Sequence, residues 1–332
     1  LTVNSLLFPS GAASAPTMDE GNWTSVSEFV LLGLSKEQDL LIVVVLLVTY
    51  LVNLAGNSLL LGLVVTDPQL CSPMYFLLSH LAVVDMSFAS ISLPQALVHA
   101  LTQHRAISFT SCMAQLFMYF SVGNMENYLL AALYWDRYNG VTGTLGFPDR
   151  LMENHRRCLK MVAASWAVVI PHALLYTVMA AKLSYCGNRL QHFFCDLPPL
   201  LLLSCTRPLT IELVLSTEGV LVALGPFAFI LASYVRIGVA VARLRSAQGL
   251  RKALSTCSSH LIVVLLFYGT VVWPYFRPDS SDAEGHDQQV TFFYTAVAPA
   301  LNPLIYSLRN KDVAAALRRH VLMGMATLSQ PQ

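Results

Sequence analysis

Seven apolar stretches of twenty residues or more run through this chain. That length is what an α-helix needs to cross a bilayer: about 20 residues for about 30 Å of hydrocarbon. Leu40 to Thr66 carries no charge and stops at Asp67-Pro68. Pro73 to Ala100 holds only Asp85, and Ala106 to Trp135 is interrupted only by Glu126. Met161 to Ala181, Glu212 to Val235, Ala253 to Phe276 and Gln288 to Leu308 complete the set. A soluble fold would have to bury all of them. Only 12% of the residues are charged and 55% are hydrophobic, where a soluble domain carries about 25% charged residues. That is too little polar surface to enclose so large a core. A β-barrel is excluded because its strands are about 10 residues long and alternate strictly. The expected fold is an all-α membrane protein, a seven-transmembrane helix bundle over 40–308. An N-terminal segment, 1–39, precedes it, and a short amphipathic helix and tail, 309–332, follow.

Lysine and arginine set the orientation. Six of the twenty lie before the first stretch or in the second–third, fourth–fifth and sixth–seventh connections. The other fourteen lie in the alternate connections and the tail. The N-terminus is therefore expected outside a plasma membrane and the C-terminus inside. Asn22-Trp23-Thr24, a glycosylation acceptor, then falls outside. So do Cys112, Cys186, Cys195 and Cys205, in a compartment where disulfides persist; four cysteines allow three pairings. Cys71, Cys158 and Cys257 fall inside and are expected as free thiols. Residues 1–17 have neither the basic start of a signal peptide nor the pattern of a folded element. They are expected to be disordered or an artefact of how the sequence was defined, Met18 offering an alternative start. A net charge of +1 points to no nucleic-acid partner.

Polar groups within spans are costly and ask for a reason. Asn57, Asp85, Glu126, Asn302 and Tyr306 are such groups. Asp85 and Glu126 either belong to a hydrogen-bonded packing network or hold a cation such as sodium, and the residues alone leave both open. Pro94, Pro171, Pro226, Pro274, Pro299 and Pro303 each free a backbone carbonyl and permit a kink.

Several motifs in order carry a resemblance. Gly56-Asn57, Asp85, Asp136-Arg137-Tyr138, Trp166 and Asn302-Pro303-Leu304-Ile305-Tyr306 resemble the rhodopsin-like G-protein-coupled receptors. Glu28 to Leu34, Pro73-Met74-Tyr75-Phe76-Leu77-Leu78-Ser79, Ser233-Tyr234, Lys252 to Leu261, Phe267-Tyr268-Gly269 and Pro299 to Lys311 resemble the olfactory receptors, over about residues 18–320. The resemblance implies a receptor that binds a small volatile odorant within the bundle and activates a heterotrimeric G protein of the cyclase-stimulating type, with membrane lipid as its surroundings and no cofactor. It implies pairs Cys112–Cys195 and Cys186–Cys205. It assigns Asp136, Arg137, Tyr138, Tyr234 and Tyr306 to the inner switch and Asn57, Asp85, Glu126 and Asn302 to a mid-membrane polar cluster. It places Tyr119, Phe120, Gly123, Asn124, Glu218, Gly219, Val222, Tyr268, Val271, Val272, Tyr275 and Thr295 around the ligand. With Cys195 in a disulfide, the metal-like spacing of His192, Cys195 and Asp196 loses its thiolate, so no metal is expected there.

The sequence also departs from the family pattern. Asn139 to Phe147 replaces the usual residues after Asp-Arg-Tyr, and its three glycines should loosen the inner loop. Weak coupling, or a nonfunctional receptor, is the alternative this raises; a metabolite or peptide receptor of the same fold is another. A transporter would show internal repeats. An enzyme would show a Gly-x-Ser-x-Gly, zinc or phosphate-loop motif. Neither pattern is present. The seventh span lacks the lysine of a light receptor, and Tyr119 stands where amine receptors carry an aspartate.

Overall fold

The computed structural model describes residues 26–33, 40–102, 105–143, 151–206, 209–214, 217, 225, 227–232, 234–236, 239, 291–309 and 311–328. Helices α1 (Leu40–Thr66), α2 (Pro73–Thr102), α3 (Phe109–Gly143) and α4 (Leu151–Ala181) follow the first four apolar stretches. A short α5 (Leu197–Leu202) lies in the next connection, and α6 (Leu209–Val214) opens the region of the fifth stretch. A π-helical turn, Phe293–Val297, leads into α7 (Ala298–Arg309), and α8 (Lys311–Leu328) follows. The sixth stretch, Ala253 to Phe276, lies outside the described residues, as do residues 1–17 and Asn22.

Burial along α1 shows how such a helix is sorted. Leu46, Asn53, Asn57, Leu60 and Leu63 are buried, at helical spacing, while Leu41, Leu51 and Val65 are exposed. The polar residues face the bundle and the bare apolar ones face outward, which is stable only where the surroundings are apolar. α2 begins on Pro73, whose missing N–H is harmless in a first turn, and half of its residues are buried. α3 has 35 residues, a length of about 52 Å at 1.5 Å per residue, more than the hydrocarbon thickness. Here the structure differs from the sequence reading. The helix continues through Gly140 to Gly143 rather than loosening after Tyr138, even though each glycine costs about 1 kcal/mol of helix propensity; Gly146 lies outside the described residues.

At one end of the bundle the chain does something the apolar runs did not announce. β1 (Glu28–Leu31) pairs antiparallel with β2 (Ala106–Ser108) and parallel with β3 (Arg189–Leu190). Phe29 and Leu31 alternate inward and are fully buried. They pack with Tyr176, Tyr185, Leu197 and Leu200 in a second hydrophobic cluster. Cys112–Cys195 and Cys186–Cys205 are the disulfides there. The Asp196 carboxylate caps α5 by accepting from the Leu197 N–H at 2.7 Å. Its partial burial pushes that carboxyl up to about 6, against the lowering effect of the same hydrogen bond.

The opposite end is held by side chains. Asp67 Oδ1 accepts from the Gln69 N–H at 2.9 Å, and its Oδ2 accepts from Arg319 Nη2 at 2.6 Å and Nε at 3.1 Å. The hydrogen bonds from Arg319, then from Gln69, hold this carboxyl below the usual carboxylate range. Tyr75 donates to Asp312 Oδ2 at 3.1 Å, and Thr66 Oγ1 lies 3.0 Å from His320 Nε2. Val313 and Ala316 bury the inner face of α8, while Val321 and Leu322 stay exposed. The expected amphipathic helix is therefore docked across the ends of α1 and α2.

Candidate ligand pocket and polar core

Tyr119, Phe120, Gly123 and Asn124 recur at one-turn spacing and share a face of α3. Tyr119 is the hub. Its ring stacks on Phe88 of α2 at 4.9 Å, meets Phe194 of the connecting loop at 4.7 Å and Phe120 edge-on at 6.2 Å. Phe120 in turn stacks on Tyr176 of α4 at 5.4 Å. Aromatic pairs at these separations contribute about 0.5–1.5 kcal/mol beyond the area they bury. Gly123 is where another helix comes close: a Cβ there would stand 3.0 Å from Phe88 and 3.2 Å from the Tyr294 hydroxyl. Asn124 turns back on its own helix, donating to the Phe120 carbonyl at 2.8 Å. Thr295 is fully buried and donates to the Thr291 carbonyl at 2.7 Å. Its neighbour Tyr294, on the π-helical turn, is the residue that meets α2, edge-on to Phe88 at 5.2 Å. Such turns commonly re-aim side chains at sites. Glu218, Gly219, Val222, Tyr268, Val271, Val272 and Tyr275 lie outside the described residues.

The sequence reading missed Phe88, Tyr176, Phe194 and Tyr294. One signal was available for Phe194, which precedes Cys195: tying that cysteine to Cys112 on α3 brings its neighbour over the helix. Among the three residues of the metal-like spacing, Cys195 is in the disulfide and Asp196 is the α5 cap. His192 is sandwiched against Phe193 and Phe194 at 4.9 and 4.7 Å. Burial there pulls its imidazole down to about 4, against the raising effect of a hydrogen bond to the Phe194 backbone.

Deeper in the bundle lies the polar core. Pro303 has no N–H, so the carbonyl one turn earlier, on Pro299, loses its helical donor. Asn57 Nδ2 reaches across from α1 to that carbonyl at 3.4 Å, and also bonds the Asn53 carbonyl at 3.1 Å. The adjacent Gly56 explains how α1 comes so near: a Cβ at that position would stand 2.9 Å from the Pro303 ring. The Gly-Asn pair of the first span thus docks on the Asn-Pro pair of the seventh. Asn302 Nδ2 donates to both oxygens of Asp85, at 3.1 and 3.0 Å, and lies 3.5 Å from Glu126 Oε1. Asn53 Nδ2 supports the same point from the Asp85 carbonyl, at 3.3 Å. Asn53, Asn57, Asp85, Glu126 and Asn302 are buried, and among the described residues Glu126 Oε2 has no hydrogen-bond partner. The four residues expected to cluster are therefore brought together, with Asn53 as a fifth.

Toward the Asp67 end, Asp136 is half-buried and Tyr234 packs against the main hydrophobic core. Arg137, Tyr138 and Tyr306 are placed on their helices, but their side chains lie outside the description.

With this geometry in place, a family profile described as "Olfactory receptor" matches residues 46–323. This chain belongs to the olfactory receptor family. Olfactory receptor 1f45 of Rattus norvegicus is 43% identical over 309 residues, 92% of this chain and 98% of that relative. Olfactory receptor 1C1 of Homo sapiens is 44% identical over 308 residues, again 92% and 98%. The crystal structure of squid rhodopsin superposes with a TM-score of 0.63 at 19% identity, over 82% of this chain and 77% of that one. The olfactory receptor described here is accordingly a multi-pass membrane protein with the rhodopsin-like seven-helix fold, a receptor rather than an enzyme.

Proposed function

We propose that this olfactory receptor binds a small, mostly apolar odorant against the Tyr119 face of α3 and, when occupied, activates a heterotrimeric G protein that stimulates cyclase. It works from the plasma membrane with the disulfide end and Asn22 outside. The observation that carries the reading is the contact of Phe194 with Tyr119, ring centroids 4.7 Å apart. A loop tethered by Cys112–Cys195 lays an aromatic ring over a helix that also lines the polar core. Such a cavity offers apolar area and few polar groups, which selects ligands by shape and one or two hydrogen bonds. A ligand that fits the active arrangement better shifts the population toward it. Glu218 and Tyr268 complete the pocket from the fifth and sixth spans in this reading, and Arg137 with Asp136, Tyr138, Tyr234 and Tyr306 forms the switch.

The polar core is the coupling element. Two carboxylates that share one amide donor repel each other unless a proton or a cation lies between them. Hard oxygen donors suit sodium, and the partnerless Glu126 Oε2 fits that assignment. Asp85, Glu126 and the side-chain oxygen of Asn302 would hold the ion.

Cyclic-AMP output from cells expressing the receptor with an olfactory-type G protein, across a broad odorant panel and with surface labelling in parallel, tests the proposal. An odorant response is expected. Tyr119→Ala should weaken it about tenfold or more, through the loss of three aromatic contacts, at unchanged surface level, and Tyr268→Ala should do the same. A response that survives both substitutions refutes the pocket. Silence at good surface level, relieved by restoring the usual family residues at 139–147, would favour the weak-coupling reading.

A further inference from the structure

A cavity opens where α2 meets α3, beside the residues proposed to hold the odorant. It is a groove of about 640 Å³ between α2 and α3, near the disulfide end, and none of the pocket residues named above lines it. Ile91 and Gln95 form one wall, Ser111, Gln115 and Met118 the other, and the β2 strand closes the end. Met118 is 48% exposed, so the groove faces away from the bundle; in a multi-pass membrane protein that is the lipid side.

The hydrogen bonds decide what the groove offers. Gln115 Oε1 accepts from the Cys195 N–H at 2.8 Å, and its Nε2 donates to the Ile91 carbonyl at 2.8 Å. A backbone N–H can only donate and a carbonyl can only accept, so the orientation of this amide is fixed. The same Nε2 donates to Gln95 Oε1 at 2.8 Å, which fixes Gln95 as well. The Gln95 amide nitrogen then has no hydrogen-bond partner among the described residues, while its side chain lines the groove. Ser108 Oγ donates to Ser111 Oγ at 2.8 Å, leaving the Ser111 hydroxyl hydrogen for an acceptor. Donors thus gather at the loop end. Ile91, Ala114 and Met118 supply apolar contact, and Met118 lies about 10 Å along α3 from Ser111. No lining residue is charged.

We propose that this groove is a sterol site. A single neutral hydroxyl would accept from the Gln95 amide and from Ser111, with the rigid ring system against Ile91, Ala114 and Met118. A phosphate headgroup would need lysine or arginine, and the groove has neither. Occupancy would reach the odorant pocket through one side chain: Gln115 holds the backbone of Cys195, whose neighbour Phe194 lies on Tyr119. The sterol therefore tunes odorant sensitivity without touching the odorant. This consequence rests on the proposed pocket, whereas the binding site itself does not.

The test is photolabelling of the full-length receptor in cell membranes with a diazirine-bearing sterol, followed by peptide mapping. Label is expected on α2 and α3 between residues 91 and 118, competed by cholesterol and not by phosphatidylcholine. Ala114→Trp and Met118→Trp, which fill the groove from two positions, should each abolish it at normal surface level. Gln95→Leu should weaken it about fivefold, the factor carried by one ordinary hydrogen bond. Labelling that persists in both tryptophan variants, or that phosphatidylcholine competes equally, would overturn the proposal. Loss of label with no change in odorant sensitivity would leave the site standing and overturn the coupling through Gln115.

Discussion

At the disulfide end, Cys112–Cys195, Cys186–Cys205 and the pairing of β1 with β2 and β3 lock the chain with covalent bonds and backbone hydrogen bonds. At the Asp67 end, α8 is held to α1 and α2 by side-chain contacts: Arg319 to Asp67, Tyr75 to Asp312, Thr66 to His320. Under the proposed function, the difference fits the two ends of one bundle to two tasks. A pocket that selects by shape needs walls that stay put, and backbone pairing provides them. A surface that must rearrange when the bundle shifts needs contacts that can break one by one, and separate side-chain pairs such as Arg319–Asp67 and Tyr75–Asp312 can do so. Between the two lies the polar core, where Asn302 joins Asp85 to Glu126.

The strongest way to break this contrast is to cut the covalent tie. Cys112→Ser should destabilise the receptor by about 2–5 kcal/mol and free the Phe194 loop from α3. The expected result is loss of surface receptor, with whatever reaches the surface unresponsive; normal trafficking and response would show that the sheet alone holds the pocket. A smaller effect is expected where α1 meets α7. Gly56→Ala places a methyl 2.9 Å from the Pro303 ring, and overpacking of this kind costs about 1–3 kcal/mol. Thermal unfolding in detergent should fall by several degrees, and basal cyclic-AMP should change because the Asn57–Pro299 contact moves with it. Arg319→Met should do less than either to unfolding. It should instead raise hydrogen exchange across α8 and leave the strands untouched, and equal exchange at both ends would erase the contrast.

How much of this was legible in the sequence follows from the length scale of each feature. Spans of twenty or more apolar residues have no other stable home, so the first four helices stand where the apolar runs stand. Asn57, Asp85, Glu126 and Asn302 were legible one by one as costly polar groups. That Asn57 answers the carbonyl freed by Pro303 was not, since 242 residues separate Asn57 from Pro299. The strands have two to four residues, too few for a period-two pattern to register against the apolar background. The π-helical turn that aims Tyr294 at Phe88 has no composition of its own. Tyr119, Phe120 and Gly123 were legible through their family positions, but their partners Phe88, Tyr176 and Phe194 come from three other segments. Gly140 to Gly143 misled because propensity argued for a loop where the helix continues.

The finest test of the two ends is acid. Asp67, held below the usual range by Arg319, contributes stability that is present above the ordinary carboxylate value and lost only as pH falls through its lowered one. The contact at that end should therefore be indifferent to pH between about 5 and 7, the range above both carboxylate values. The disulfide end carries two opposed titrations. Asp196, raised from 3.8 to about 6, makes the folded state bind more protons across that window, so its contribution falls as pH rises through about 6. His192, lowered from 6.5 to about 4, makes the folded state bind fewer, so its contribution is lost as pH falls from 6.5 toward 4. Across pH 4–6 the two slopes have opposite signs, and the intact receptor should show a nearly flat midpoint of thermal unfolding. Asp196→Asn should leave the His192 slope alone, with stability falling on acidification. His192→Phe should leave the Asp196 slope, with stability rising on acidification. If both variants keep the flat profile, neither group is held as its burial requires, and the packing of His192 between Phe193 and Phe194 is looser than the ring distances say.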